Sequence, residues 1–198
     1  MAYAFLKALG CDGDIGTIEV DMSSGKAKAT DGHKIVSASG GTVTIKSSRY
    51  PFCFYGNPAK SDATSGVIEF LPFNEQLNRF RLVVRDAPAG AAQLKVTWGK
   101  QTKAFTVAQL EQGINLAAEF LENPFSEPFK KVHEAVLRQQ RYETPMVKEI
   151  LHSIPDWKRN DVGGADELVK PLVTMDAKLR QAAAKSVVPV THEIRVSQ

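Results

Sequence analysis

The fold of this chain is best predicted from residues 33–47, HKIVSASGGTVTIKS. Two segments in which apolar and polar residues alternate, residues 33–39 and 42–47, are separated only by Gly40-Gly41. Alternation with a period of two is typical of a strand with one buried face, and two glycines between such segments favour a tight turn. This stretch therefore predicts a β-hairpin.

The same period of two extends outward from the hairpin over residues 16–107. Residues 67–71 form one further short apolar run, which predicts another strand. Short strands with turn residues between them are typical of an antiparallel β-sandwich, here spanning residues 11–107. The alternating apolar positions are Ile18, Val20, Met22, Phe80, Leu82, Val84, Leu94, Val96 and Trp98.

Beyond Val107 the apolar spacing changes to that of helices, and residues 108–198 are predicted to be a helical tail that ends in a strand at residues 190–196. The fold class predicted is therefore mainly β: an antiparallel β-sandwich-like module, then about three helices and a terminal strand. Residues 1–10 are predicted to be a helix that remains from an upstream domain, with a short N-terminal helix docked on the module as the alternative. The helix boundaries predicted are a capping box of Thr106 with Gln109, a stop at Gly113, starts at Ser126 and Thr144-Pro145, and a stop at Pro155.

Composition excludes some classes of function. The net charge is only +3 and no basic run stands apart from acidic residues, so we expect no nucleic-acid partner. No apolar run is long enough to span a membrane, and residues 1–10 lack the features of a signal peptide, so we expect a soluble protein in an undetermined compartment. Cys11 and Cys53 are too few for a disulfide scaffold; two buried free thiols are favoured, and pairing in an oxidising compartment stays open.

The residues expected of a serine hydrolase are not found. No Gly-x-Ser-x-Gly motif occurs. His133 lies on an apolar helix stripe and is expected to be partly buried. His33, His152 and His192 stand in no catalytic pattern.

Asp12 and Asp14 form one candidate metal site. Alternating oxygen ligands resemble the start of a calcium loop, but the further ligands of such a loop are missing. A plain turn before a strand is favoured, with calcium or another divalent metal as the alternative. No other cofactor is expected.

The aromatic connection at residues 49–65 holds a candidate substrate site. Tyr50, Phe52 and Tyr55 are rings of the kind that stack on sugars. The alternative, which we favour, is that they anchor the loop by packing.

Three segments resemble the SGNH/GDSL hydrolases. Residues 1–10 resemble the helix that follows the catalytic Asp-x-x-His-Pro block in one branch of that family. Thr144-Pro145-Met146 and Val188-Pro189-Val190-Thr191-His192 are similar to the Asn-Thr-Pro-like helix start and the Pro-Val-Pro-His-like strand of its C-terminal part. The resemblance implies the C-terminal portion of such an enzyme.

The catalytic blocks of that family are absent. Gly13-Asp14-Ile15 lacks the serine of Gly-Asp-Ser, and Lys158-Arg159-Asn160-Asp161 lacks the glycine of Gly-x-Asn-Asp. The resemblance thus implies an accessory module of an ester hydrolase whose partner is an upstream catalytic domain, and no catalytic residue is carried over. Two alternatives stay open: a free-standing carbohydrate- or protein-binding module, and a metal-assisted ester or lactone hydrolase. The ligands expected are a small ester, lactone or glycan, and exposed apolar surface predicts a homo-oligomer.

Overall fold

The computed structural model describes residues 2–57, 59–60, 63–160 and 162–198. Some residues of the segments discussed above lie outside these ranges. They include Met1 and Asp161, which belong to segments compared with the SGNH/GDSL hydrolases, and Pro58 of the aromatic connection. The chain forms two compact units, one of residues 1–126 with 189–198 and one of residues 127–188. The domain boundaries predicted at residues 10/11 and 107/108 stay predictions.

The first unit contains two sheets. One has four strands in the order β2-β1-β5-β8, and the other has five in the order β3-β4-β9-β6-β7. The strands are β1 (Asp14–Asp21), β2 (Ala27–Ala29), β3 (His33–Ser39), β4 (Thr42–Ser47), β5 (Arg79–Arg85), β6 (Gln93–Trp98), β7 (Gln101–Thr106), β8 (Ile114–Asn115) and β9 (Val190–Ser197).

Helices precede, separate and follow the strands along the chain. A 3₁₀ turn at Ile68–Phe70 follows α2, and a π-helical segment at Met146–Leu151 joins α6 to α7. The helices are α1 (Ala2–Ala8), α2 (Thr64–Val67), α3 (Phe73–Leu77), α4 (Val107–Gln112), α5 (Leu116–Glu119), α6 (Ser126–Pro145), α7 (His152–Arg159) and α8 (Val169–Lys185).

The predicted fold class is wrong. Of the described residues, 41% are helical and 27% are in strands, so the fold is mixed and not mainly β. The first sheet is not wholly antiparallel either, because β1 and β5 pair in parallel. Residues 67–71, predicted to be a strand, lie in α2, the 3₁₀ turn and the residue after it. Short apolar runs do not distinguish a strand from a helical turn by their spacing.

The predicted hairpin and the predicted terminal strand are confirmed. β3 and β4 pair antiparallel around Gly40 and Gly41, whose φ angles of 54° and 77° fit a tight turn of two residues with positive φ. β9 returns to lie between β4 and β6 and pairs antiparallel with both. Residues separated by more than a hundred positions in sequence therefore meet in the middle of the five-stranded sheet.

The core lies between the two sheets. Strand alternation places one row of apolar side chains from each sheet on the inner face. The rings of Phe80 on β5 and Trp98 on β6 are 5.7 Å apart, so the inner faces are in contact. Fully buried side chains of this core include Ile18, Ile45, Phe80, Leu82, Leu94, Trp98 and Ile194.

The two predicted proline boundaries in the second unit are wrong. Pro145 lies at the end of α6, where a helix was predicted to start, and Pro155, predicted to end a helix, lies inside α7. A proline lacks an N–H group and its ring crowds the preceding turn; the wider π-helical turn at Met146–Leu151 lets the chain stay helical past Pro145. The capping box of Thr106 with Gln109 and the stop at Gly113 are confirmed in the first unit.

Candidate functional site

Polar side chains meet inside the core at one end of the hairpin. His33 is the first residue of β3 and Ser47 the last of β4, and the two are direct cross-strand partners. His192 stands on β9 beside β4, opposite Ile45. Residues directly opposite one another on neighbouring strands point to the same face, so the sheet register brings the hydroxyl and both imidazoles onto the buried face.

A continuous chain of hydrogen bonds links these groups, which we call the histidine–serine relay (His33, Ser47, Trp98 and His192). Trp98 Nε1 donates to His192 Nδ1 at 3.1 Å. His192 Nε2 is 2.9 Å from Ser47 Oγ, and Ser47 Oγ is 2.8 Å from His33 Nδ1. His33 Nε2 is 2.9 Å from the carbonyl oxygen of Ile15.

The two ends of the relay fix the position of every proton in it. An indole N–H only donates, so Nδ1 of His192 accepts and the neutral ring carries its proton on Nε2. His192 therefore donates to Ser47, which leaves the hydroxyl proton of Ser47 for Nδ1 of His33. His33 Nε2 then donates to the Ile15 carbonyl, which only accepts. All hydrogen bonds run in one direction, with both imidazoles neutral.

Burial holds the histidines in this neutral state. His33 is 8% exposed and His192 4%, and the ring of His33 stacks on Phe80 at 4.9 Å. Burial, with a smaller effect of His33, lowers the pKa of His192 to about 4. Burial also lowers the pKa of His33; the hydrogen bond to Ile15 opposes that effect and the charge of Arg49 adds to it. Desolvation disfavours the charged form of an imidazole, which explains both directions.

The relay contains the contact that serine catalysis uses, but it is closed to substrates. A hydroxyl that donates to an imidazole is the arrangement of a serine nucleophile and its base. Ser47 is fully buried, at 0% exposure. His192, which donates to its hydroxyl, and His33, which accepts from it, also lie in the core. A carbonyl carbon cannot approach its Oγ without opening the sheet, so the relay as it stands is structural.

The sequence patterns leave His33 and His192 unconnected, place Trp98 only among the apolar strand positions, and do not single out Ser47. The alternation of inward- and outward-facing positions along each strand is the signal that would have identified Ser47 and His192. Ser47 follows Val43 and Ile45 at spacing two, and His192 precedes Ile194 at the same spacing. A polar residue on a buried strand face requires a buried partner, so two such positions on two strands indicate a hydrogen-bonded pair.

The aromatic residues predicted to bind substrate lie against the protein. Tyr50 makes an edge contact with Phe125 at 5.3 Å, and Phe52 does so with Phe73 at 5.2 Å. The hydroxyl of Tyr55 donates to the carbonyl of Ser126 at 2.9 Å. All three rings are partly buried, as loop anchors are.

The candidate metal residues form a turn. Asp12 Oδ1 accepts the backbone N–H of Asp14 at 2.9 Å, an Asx turn of the ordinary kind. Within the residues that the structure describes, no group of three or more His, Cys, Asp or Glu residues is placed to hold a metal ion. The alternative, in which Asp12 and Asp14 bind calcium or another divalent metal, stays a prediction.

The cysteines and His133 differ in part from expectation. Both cysteines are free; Cys53 is buried, but Cys11 is exposed. Burial raises the pKa of the Cys53 thiol to about 11, which makes it unreactive. His133 is exposed on α6 and not partly buried as its position on the apolar stripe predicted. In the described part of the chain no helix is both long enough and apolar enough to cross a membrane.

No family model and no curated protein matches this sequence. The solved structure of a gut microbial diltiazem-metabolizing enzyme is similar to it, with a TM-score of 0.64 and 19% sequence identity. The similarity covers 100% of this chain and 53% of that enzyme, so this chain spans about half of the enzyme's length. At this identity the likeness shows a shared fold.

Proposed function

We propose that this chain is the accessory, non-catalytic portion of an ester hydrolase of the SGNH/GDSL type. The observation that carries the proposal is the sealed relay: Ser47 contacts an imidazole but is fully buried. A chain with this fold that had to cleave esters by itself through that pair would need to expose the hydroxyl. The proposal therefore places the attacking groups in another domain.

The structural likeness supports the same proposal. The fold of this chain recurs as about half of the length of an enzyme, which is the share expected of an accessory portion. The resemblance of residues 1–10 to the helix after the catalytic Asp-x-x-His-Pro block adds the order of the two parts: catalytic domain first, accessory portion second. This proposal makes a small ester or lactone the substrate of the whole enzyme.

The surface near α1 fits contact with a catalytic domain. α1 has no buried residue, and Phe5 is 65% exposed. It touches α3 through Tyr3, whose hydroxyl donates to Gln76 at 2.6 Å. Phe70, just before α3, is 81% exposed. A contiguous apolar patch is typical of a surface covered by a partner, and we expect Phe5 and Phe70 to belong to such a patch. The predicted homo-oligomer stays a prediction, which light scattering of the purified chain checks.

Hydrolysis assays test the proposal directly. The purified chain, with and without a chelator, should not hydrolyse p-nitrophenyl acetate or a short lactone above the buffer rate. Turnover that disappears in a folded Ser47→Ala variant would show that the relay opens and would overturn the proposal. Turnover that depends on Asp14 and on a divalent metal would instead support the metal-assisted alternative.

The gene provides an independent test. We expect the codons immediately upstream of Met1 to encode Asp-x-x-His in frame, and the chain extended through them to hydrolyse the same esters. The proposal is contradicted if an in-frame stop codon lies directly upstream of Met1 and the DNA before it encodes no catalytic domain.

A further inference from the structure

A cavity of about 350 Å³ opens at the outer side of the relay, beside the start of β3. Gly32 and His33 lie in its wall, and the hydroxyl-bearing residues Thr30 and Ser48 also line it. Thr30 Oγ1 accepts the backbone N–H of Thr17 at 2.9 Å, which leaves its own hydroxyl proton to donate. Ser48 Oγ already donates to the carbonyl of Gly32 at 3.1 Å, so the hydroxyl donor that the cavity offers is that of Thr30.

Two lysines lie side by side in the lining of this cavity. Lys34 on β3 and Lys46 on β4 are direct cross-strand partners, and both line the cavity. Like charges directly opposite on neighbouring strands destabilise a sheet. In the described part of the chain neither ammonium is within ion-pair distance of a carboxylate, although Asp31 lines the same cavity.

A third cation lies next to the pair. The side chain of Arg49 crosses over Gly32, where a Cβ would stand 2.4 Å from Arg49 Cδ. Gly32 has a φ of 90°, so glycine meets both a backbone requirement and the close approach of the arginine. Gly32 lines the cavity, so this close approach places the Arg49 side chain beside the cavity.

We propose that Lys34, Lys46 and Arg49 form a binding site for a phosphate or sulfate group. The two lining ammonium groups and the guanidinium beside the cavity, against the one lining carboxylate of Asp31, leave an excess of two positive charges, which a doubly charged oxyanion neutralises. Arginine forms paired hydrogen bonds with such oxyanions, and lysine binds them as a point charge. The site borders the sealed relay at His33 but is inferred independently of the function proposed above.

A second cavity in the same unit provides the comparison. It measures about 400 Å³ and is lined by Lys26 and Lys28 together with acidic side chains. Arg85, also in its lining, pairs with Glu19 at 3.7 Å. This cavity is similar in size to the first, but its positive and negative charges balance. It is therefore a matched control, because replacing its two lysines removes the same charge from the molecule as replacing Lys34 and Lys46.

The test is an NMR titration of the full chain with inorganic phosphate at pH 7.5, sodium chloride holding the ionic strength constant. We expect saturable shifts of the Gly32, Lys34 and Lys46 amides. The Lys34→Gln/Lys46→Gln variant should weaken binding at least tenfold, and the Lys26→Gln/Lys28→Gln variant should leave it unchanged. Phosphate should raise the Tm of the wild type and of the control variant but not of Lys34→Gln/Lys46→Gln.

Comparison of anions identifies the class of ligand. Phosphate and sulfate should bind more tightly than acetate, because the site carries two excess charges. Equal binding of acetate overturns the assignment to a doubly charged oxyanion. Shifts that sodium chloride alone reproduces, or that survive the loss of both lysines, overturn the site itself. At low salt and without added anion, Lys34→Gln should raise the Tm, because it relieves the repulsion between Lys34 and Lys46. A fall in the Tm would contradict the argument that these two lysines repel each other.

Discussion

Ser47 is a single hydroxyl on which two buried imidazoles depend. It accepts from His192 and donates to His33, and both contacts are buried. Ser47→Ala removes a donor and an acceptor together, so two ring nitrogens lose their partners without gaining water. A buried polar group left without a partner costs about 1–3 kcal/mol. We expect urea unfolding to show a loss of about 2–4 kcal/mol in the free energy of unfolding.

Ser39→Ala is the control for that measurement. Ser39 ends β3 and is exposed, so its loss should change the free energy of unfolding by less than about 0.5 kcal/mol. Equal effects of the two variants would show that the relay contributes nothing specific to stability.

Protonation of His192 should destabilise the fold. In the folded protein its pKa is about 4, below the ordinary value of 6.5, so the unfolded chain binds the proton more readily. Stability is therefore complete above pH 6.5 and is lost as pH falls toward 4, where a second ring N–H would face the Trp98 indole N–H. At pH 5 the loss is about 2 kcal/mol relative to neutral pH. Urea midpoints measured from pH 7.5 to pH 5 check this slope.

His192→Gln separates this residue from the other titrating groups. Glutamine retains one donor and one acceptor but does not titrate, so the slope between pH 6.5 and pH 5 should become flatter, with His33 responsible for part of what remains. His33 is also buried with a lowered pKa, and Arg49 and Asp14 are the charges that act on it. An unchanged slope in His192→Gln would mean that His192 is not the group responsible.

At the scale of elements, alanine substitutions at the two glycines of the hairpin turn distinguish the cost of backbone strain from the cost of steric contact. Gly40 and Gly41 both have positive φ. A Cβ on Gly40 would meet nothing within 4 Å, whereas one on Gly41 would lie 2.3 Å from the backbone oxygen of Val196 on β9. Gly40→Ala should cost about 1–2 kcal/mol for the backbone conformation alone. Gly41→Ala should cost at least about 2 kcal/mol more, because backbone atoms of β9 must also move.

Thermal or urea unfolding of the two alanine variants distinguishes these contributions. Similar losses would show that the turn relaxes without disturbing β9. That result would contradict the close contact between the turn and the last strand.

Elements with strong local signals were predictable from the sequence. Alternation together with Gly40-Gly41 located the hairpin, and the reciprocal side chains of Thr106 and Gln109 located the start of α4. Elements without such signals were not. Residues 67–71 are too few to show a helical period, and Pro155 ends a helix only when the preceding turn cannot accommodate it. The fold class was wrong because these short helical segments, added to the predicted helical tail, outweigh the strands.

At the scale of the whole molecule, long-range pairing limits what the sequence alone predicts. The parallel contact of β1 with β5 joins segments separated by the entire hairpin, and the relay joins four residues from four strands. Local patterns predict that Ser47 and His192 face inward, but not that they face each other. The contact depends on β9 lying next to β4, a placement that no local pattern encodes.

The two compact units should differ in local stability. Among the described residues, the large side chains that are fully buried, such as Trp98, Phe80 and Phe125, all belong to the first unit. The second unit has Ala135, Met146 and Ile154 at 5% to 9% exposure. The second unit relies more on polar contacts between α6 and α8. One is the 2.8 Å hydrogen bond from Gln139 to Asp176, whose other carboxylate oxygen is 2.7 Å from Arg180.

Burial of apolar surface contributes most of the free energy of folding, so the second unit should open without unfolding of the first. Native-state hydrogen exchange should give the amides of α8 an opening free energy at least about 2 kcal/mol below that of Ile45 and Ile194 in the five-stranded sheet. Asp176→Ala should enlarge the difference, because it leaves Gln139 without its buried partner, and should not change the exchange of Ile45. A single opening free energy shared by α8 and the sheet would instead show that the chain unfolds as one cooperative body.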